Sequence, residues 1–240
     1  MSKLPVIEIF GPTIQGEGAV IGVKTMFVRT YGCDYRCSWC DSAFTWDGSA
    51  KDKLRLLEPE TIVEELMALA DGNFDSVTIS GGNPALIGEG MKHFIDLLHR
   101  KGIQIAIETQ GSRWQDWFYD VDVLTISPKP PSSGMKTDWE VLDHILRNMR
   151  EYGRATHNLK VVVFGEEDLE YAKSVHRRYE DVQLFLQPGN DNVKEAGDIS
   201  GRLLRRLEWL FNKVIADPAL NRVRVLPQLH ALIWHNKQGK

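Results

Sequence analysis

Cys33-Asp34-Tyr35-Arg36-Cys37-Ser38-Trp39-Cys40 holds every cysteine of this 240-residue chain. The spacing is C-x₃-C-x₂-C, with an aromatic residue just before the last thiol. Three thiolates can hold three irons of a [4Fe–4S] cluster and leave the fourth open, whereas an electron-transfer ferredoxin closes its cluster with four cysteines. An open iron can bind and polarise a small molecule. Cys33, Cys37 and Cys40 therefore read as ligands of a cluster built for chemistry. The alternative from another class is a non-catalytic zinc-binding interaction module. Structural zinc wants four protein ligands, commonly in two separated pairs. No second pair exists: the seven histidines are scattered, and none is close in sequence to the cysteines. A distant histidine would have to complete the site. Three is an odd number for disulfides, and thiols this close together suit a metal better than a bridge.

Outward from that octapeptide, the chain alternates between two patterns. Short β-branched runs read as strands at 26–30, 77–80, 103–109, 123–127, 159–164, 182–187 and 223–226. Several are nearly continuous in apolar residues, as parallel strands covered by helices are. Between them, apolar residues recur at helical spacing. One helix starts at Pro59, which suits a first turn, with Ile62, Val63, Leu66, Met67 and Leu69 on one side. Others span 89–101 before Gly102, 138–152 before Gly153, 166–179 and 199–215. Strand–helix units repeated five or six times give an α/β fold with a mainly parallel sheet. They fall short of eight, so the expected architecture is a partial, open (β/α) barrel of about six parallel strands. No linker splits it: residues 1–240 read as a single domain, with a cluster loop at 31–46 and a C-terminal tail at 227–240.

In such barrels function sits at the carboxyl ends of the strands. The polar and glycine-rich motifs fall there. Cys33 follows the first of these strands; Gly81-Gly82-Asn83-Pro84, Gln110-Gly111, Pro128-Lys129-Pro130-Pro131 and Pro188-Gly189-Asn190 follow others. Five loops on one rim point at one site.

Bulk composition narrows the partners. An apolar fraction of 42%, a charged fraction of 26% and a net charge of −4 describe an ordinary globular protein. No basic stripe suggests nucleic acid. Arg147, Arg150 and Arg154, and Arg202, Arg205 and Arg206, read as solvated helix faces. No apolar run reaches the ~18 residues that span a membrane. The N-terminal residues carry no signal-like apolar region. The expected compartment is a reducing cytoplasm, where thiols and iron–sulfur clusters survive.

An open cluster iron suits the amino and carboxylate groups of S-adenosylmethionine (SAM), which form a five-membered chelate. An electron from the cluster can then break the sulfonium carbon–sulfur bond and release a 5′-deoxyadenosyl radical. C-x₃-C-x₂-C on the loop after the first barrel strand resembles the radical SAM superfamily. Gly81-Gly82 would let backbone approach the amino-acid end of SAM with no Cβ in the way. Most of that superfamily follows the glycines with an acidic residue. Here Asn83 stands instead, able to accept through its amide oxygen but uncharged. Trp39 reads as a cover for the adenine or a shield for the cluster, and otherwise as a core tryptophan.

A narrower resemblance lies in Glu8-Ile9-Phe10-Gly11-Pro12-Thr13-Ile14-Gln15-Gly16-Glu17-Gly18, in Phe27-Val28-Arg29, and in Asp41-Ser42 with Thr45-Trp46 beyond. With the cysteines, these resemble the 7-carboxy-7-deazaguanine synthases over most of the chain. The resemblance implies a lyase of queuosine biosynthesis. It would contract the ring of 6-carboxy-5,6,7,8-tetrahydropterin with loss of ammonia, using SAM catalytically and Mg²⁺. It also implies roles. Ile14, Gln15 and Gly16 would meet the pterin edge, and Glu17 its 2-amino group and ring N–H. Arg29 would clamp the substrate carboxylate through two hydrogen bonds. Ser80 would touch the pterin, and His230, in Gln228-Leu229-His230, the substrate's carboxylate side. Ser42, where the family usually has threonine, would ligate Mg²⁺. Trp39, Cys40, Asp41, Gly82, Ser127, Pro128, Gln187 and Asn190 would contact SAM, with Glu108 at its ribose and Lys129 at its methionyl carboxylate. His235 reads as a polar tail residue. The implied partners are a flavodoxin or ferredoxin electron donor and a second copy of the chain. A rival within the superfamily, an activase of a glycyl-radical protein, would share the cysteines and Gly-Gly. It would need neither Gln15-Gly16-Glu17 nor Arg29.

Overall fold

The computed structural model describes residues 2–152, 156–193, 195 and 197–239. Seven strands run parallel: β2 (Lys24–Thr30), β4 (Ser76–Gly81), β5 (Gln104–Thr109), β6 (Val123–Ile126), β7 (Thr156–Val163), β8 (Leu184–Pro188) and β9 (Arg224–Val225). Two more were not anticipated. β1 (Leu4–Ile14) pairs antiparallel with β2, and β3 (Arg55–Leu57) pairs antiparallel with β1. The sheet order is β3-β1-β2-β4-β5-β6-β7-β8-β9, so β3 and β9 end an open sheet and the barrel stays partial. Pro5, Gly11 and Pro12 disguise β1, because proline reads as a strand breaker. The strand absorbs Gly11-Pro12 in a register shift between Phe10 and Thr13.

The helices are α1 (Pro59–Ala70), α2 (Glu89–Arg100), α3 (Trp139–Tyr152), α4 (Glu166–Arg178), α5 (Ser200–Ala216) and α6 (Leu229–Trp234), the last a short helix inside the tail. Met91, Phe94, Ile95 and Leu98 of α2 are fully buried. Each such side chain contributes about 1.5–3 kcal/mol of transfer free energy. Leu69 departs from expectation at 55% exposed. It sits at the margin of the α1 stripe in the last turn, where Ala70 takes the inward position. The expected stop at Gly153 and the side chain of Arg154 lie outside the described residues. The arginines of α5 are not simply solvated: Arg202 and Arg206 are both half-buried and both pair with Asp191.

Strand residues alternate between two surroundings. Val28, Ile79, Ile107, Leu124, Val161 and Leu186 join one continuous core with the helices. The other face carries Phe27, Arg29, Ser80, Glu108, Lys160, Val162 and Gln187, all bordering a cavity. Parallel register lines these residues up: Arg29 lies opposite Ser80, and Val162 opposite Gln187. The apolar runs are thus less continuous than they read, because only one face of the sheet meets helices.

Candidate active site

The cavity, about 270 Å³, lies on that second face. Its walls include Ile14, Gln15, Gly16, Glu17, Arg29, Cys33, Cys37, Trp39, Cys40, Asp41 and Ser42. Ser80, Gly82, Glu108, Ser127, Lys129, Gln187, Asn190 and His230 complete the expected set. Pro128 is the exception. Ser127 and Lys129 face the cavity, while Pro128 between them is buried and borders no part of it.

Glu17 is the electrostatic centre. Lys160 Nζ donates to Glu17 Oε2 at 2.6 Å and to both Glu108 oxygens at 3.1 Å. Gln228 Nε2 donates to Glu17 Oε1 at 2.8 Å, and His230 Nε2 stands 3.9 Å from the same oxygen. Burial alone would push the Glu17 carboxyl up. The Lys160 charge, then His230, outweigh that and hold it well below the usual carboxylate range. Burial likewise pulls Lys160 down, but Glu108 and Glu17 hold it above the usual lysine value. Glu17 and Lys160 therefore both stay charged at neutral pH. Sequence reasoning passed over Lys160. Its signal was a lone cation inside the apolar run Leu159-Lys160-Val161-Val162-Val163, since a buried lysine is rare unless paired.

Arg29, at the end of β2, reaches the cluster loop. Its Nη1 donates to Ser42 Oγ at 3.1 Å, and its Nε lies 3.3 Å from Glu8 Oε2. The guanidinium sits 5.3 Å from the centre of the Phe10 ring, which stacks on Phe27 at 4.9 Å. Ser42 Oγ in turn donates to Asp41 Oδ1 at 2.8 Å. Ligand atoms of Glu17, Asp41 and His230 lie within 4.8 Å of one another.

The three cysteines are half-buried. Burial pushes all three thiols up, Cys40 to about 11 with help from Asp41. Their sulfurs meet N–H donors: Tyr35 N and Gln110 Nε2 on Cys33 at 3.4 and 3.5 Å, and Trp46 Nε1 on Cys40 at 3.4 Å. Such donors suit cluster thiolates. One tetrahedral zinc draws its sulfurs to roughly 3.8 Å apart, from Zn–S bonds of ~2.3 Å. Among the described residues, no cysteine belongs to a set of three candidate ligand atoms within 4.8 Å. For SAM, Gln187 offers a fitting partner: both its amide atoms are buried without a hydrogen bond, and it borders the cavity. The donor set thus fits an iron–sulfur cluster with an adenosyl ligand.

Gly82 also has a packing reason to lack a side chain, beside its place on the cavity wall. A Cβ on Gly82 would lie 2.0 Å from the Gly32 carbonyl oxygen, so its missing side chain admits the cluster loop. Asn83 is also explained. It donates to Asp34 Oδ1 at 2.9 Å and Ser112 Oγ at 3.0 Å, and accepts from Thr109 Oγ1 at 2.8 Å and Ala85 N at 3.2 Å. An acid at 83 could not donate to Asp34. Its amide is spent on holding the loop. Asn190 is similarly engaged, donating to Asn236 Oδ1 at 2.8 Å. Trp39 is half-buried at the cavity, not in the core, with Nε1 on Ser132 Oγ at 3.0 Å. Lys129 Nζ donates to Ser127 Oγ at 3.0 Å.

The tail folds over this site. Leu229 N donates to Gly16 O at 2.9 Å, and a Cβ on Gly16 would lie 2.4 Å from His230 Nδ1. His235, expected as a polar tail residue, borders the cavity with Asn236, Lys237 and Gln238.

Residues 27–179, more than half of the chain, match the Radical SAM superfamily. The chain is 56% identical to the 7-carboxy-7-deazaguanine synthase of Bacillus cereus over 241 residues, covering 100% of both. It is 57% identical to that of Bacillus subtilis over 239 residues, covering 98% of each. The crystal structure of QueE from Escherichia coli superposes with a TM-score of 0.69 at 23% identity, over 95% of each chain, which speaks for the fold. With a cavity that unites the cysteine loop and the Gln15-Gly16-Glu17 segment, the chain is a radical SAM enzyme and belongs to the 7-carboxy-7-deazaguanine synthase family.

Proposed function

We propose that this enzyme converts 6-carboxy-5,6,7,8-tetrahydropterin to 7-carboxy-7-deazaguanine with release of ammonia, acting as a single domain over residues 1–240. One observation carries the reading: a single cavity is bordered at once by the three cysteines, by Arg29, and by a Glu17 kept ionised by Lys160. When bound, the cluster and SAM supply an adenosyl radical that removes and returns a substrate hydrogen.

The side chains divide the remaining work. Cys33, Cys37 and Cys40 hold the cluster. Glu17, as a carboxylate, accepts from the 2-amino and ring N–H groups of the pterin. Its charge is fixed by Lys160 and by Gln228, so it cannot drift to a proton donor. Ile14, Gln15, Gly16 and Ser80 shape the pterin edge. Arg29 binds the substrate carboxylate with the guanidinium edge that Ser42 and Glu8 leave open. His230 supports that carboxylate side. Asp41 and Ser42 offer hard oxygen donors, which suit Mg²⁺ sharing its shell with water and substrate oxygens. Gln187, Lys129, Ser127, Gly82, Trp39 and Asn190 line the SAM portion. Glu108 is assigned to the ribose, with Lys160 fixing its orientation.

The electron donor is a flavodoxin or ferredoxin, the compartment a reducing cytoplasm, and the working form a homodimer. No helix of the described residues is long and apolar enough to cross a membrane. The test is anaerobic incubation of reduced protein with SAM, Mg²⁺ and the carboxytetrahydropterin, followed by mass analysis. The deazaguanine acid should appear with SAM regenerated, and Cys37→Ala should abolish it. SAM consumption with no deazapurine would sink the substrate assignment.

A further inference from the structure

Among the described residues, two side chains outside the three cysteines donate hydrogen bonds to the ligand sulfurs. The indole Nε1 of Trp46 donates to Cys40 Sγ at 3.4 Å, and the amide Nε2 of Gln110 donates to Cys33 Sγ at 3.5 Å. Both are held in place by other partners. The Arg36 guanidinium lies 4.8 Å from the centre of the Trp46 ring. A cation on the ring face draws electron density from the indole and strengthens its N–H as a donor. Gln110 is 6% exposed and donates as well to Asp34 Oδ1 at 2.5 Å, the atom that Asn83 also holds at 2.9 Å. The Asp34–Asn83 pair therefore aims the Gln110 amide.

We propose that Trp46 and Gln110 are positioning residues that raise the reduction potential of the [4Fe–4S] cluster by donating hydrogen bonds to its thiolate ligands. The inference rests on the cluster assignment above. Reduction adds one electron, delivered by the donor protein, and that charge spreads onto the sulfurs. An N–H donor stabilises the reduced state more than the oxidised one, so its loss makes the cluster harder to reduce. Half-buried thiolates feel each donor more than solvated ones would. Trp46 and Gln110 act on different cysteines, so their effects should combine.

The experiment is an anaerobic redox titration of the reconstituted full-length protein, monitored by electron paramagnetic resonance without substrate. Trp46→Phe keeps a ring beneath Arg36 and removes only the N–H. Gln110→Met keeps the length and removes the amide. At a fixed poised potential, each should lower the ratio of reduced to oxidised cluster by roughly three- to tenfold, a tenfold fall being ~59 mV for one electron. The double variant should fall further than either. Unchanged midpoints at full iron content would overturn the proposal. Loss of iron from Trp46→Phe would also overturn it for Trp46, assigning that residue to holding the loop. Absence of any cluster signal in the unaltered protein would instead strike the cluster assignment itself.

Discussion

Lys160 holds Glu17 as a carboxylate, and its removal is the sharpest single-residue test of the site. It is 5% exposed, between Glu17 and Glu108. Breaking a buried pair by deleting one partner costs about 3–5 kcal/mol, because the remaining charge is left uncompensated. Lys160→Met should therefore destabilise by that order, read by denaturant melts. The sign with pH follows. In the unaltered protein the Lys160 charge holds the folded pKa of Glu17 below the ordinary glutamate value. Its contribution to stability is full above that value and is lost as pH falls through the folded one. In Lys160→Met burial acts on Glu17 without the lysine charge and favours its proton, so the Glu17 contribution to stability should rise as pH drops from 7 to 5, where in the unaltered protein that contribution stays flat. A variant that parallels the unaltered protein over that range would refute the pairing. Arg29 is tested by kinetics. Losing hydrogen bonds to a charged group costs about 1.5–3 kcal/mol. Arg29→Ala should raise the substrate KM roughly ten- to hundredfold while SAM cleavage changes little; equal loss of both would count against a substrate role.

At the scale of elements, α6 and the residues after it form one wall of the cavity. Leu229 N binds Gly16 O at 2.9 Å, and Asn236 ties the tail to Asn190. Ending the chain after Leu226 should leave iron content unaltered and raise the substrate KM at least tenfold, because Gln228 and His230 leave Glu17 together. Normal KM in that truncation would show the tail to be incidental. The contact between the β4 loop and the cluster loop makes the opposite prediction. Gly82→Ala sets a Cβ against backbone at 2.0 Å, and a carbonyl cannot swing away as a flexible side chain can. Iron content should fall, with the helical far-ultraviolet circular dichroism retained.

On the scale of the molecule, the hydrophobic core and the site occupy opposite faces of the sheet. The continuous core joins the helices to Val28, Ile79, Ile107, Leu124, Val161 and Leu186 and contains no cysteine. Removal of the cluster should therefore leave the fold standing. A Cys33→Ser, Cys37→Ser, Cys40→Ser variant should keep a cooperative thermal transition within a few degrees of the metal-free unaltered protein. Collapse to a noncooperative state would mean that the cluster loop is part of the folding core.

Residue order alone determined a great deal here. The strand–helix alternation and the placement of motifs after strands gave the open parallel barrel, because both follow from local periodicity and from where strands end. Three cysteines in eight positions named the candidate cluster ligands, because ligand spacing on one loop is a local property. What only the tertiary structure decided depends on distant segments meeting. Lys160 joins Glu17 from 143 positions away. Gln228 reaches the same carboxylate across 211. The packing of Gly82 against the Gly32 carbonyl appears only when the two loops meet. β1 hid behind its prolines, since pairing with β2 on one side and β3 on the other supplies the order that its own sequence does not. Charge pairing and close backbone approach are properties of space, and no reading along the chain contains them.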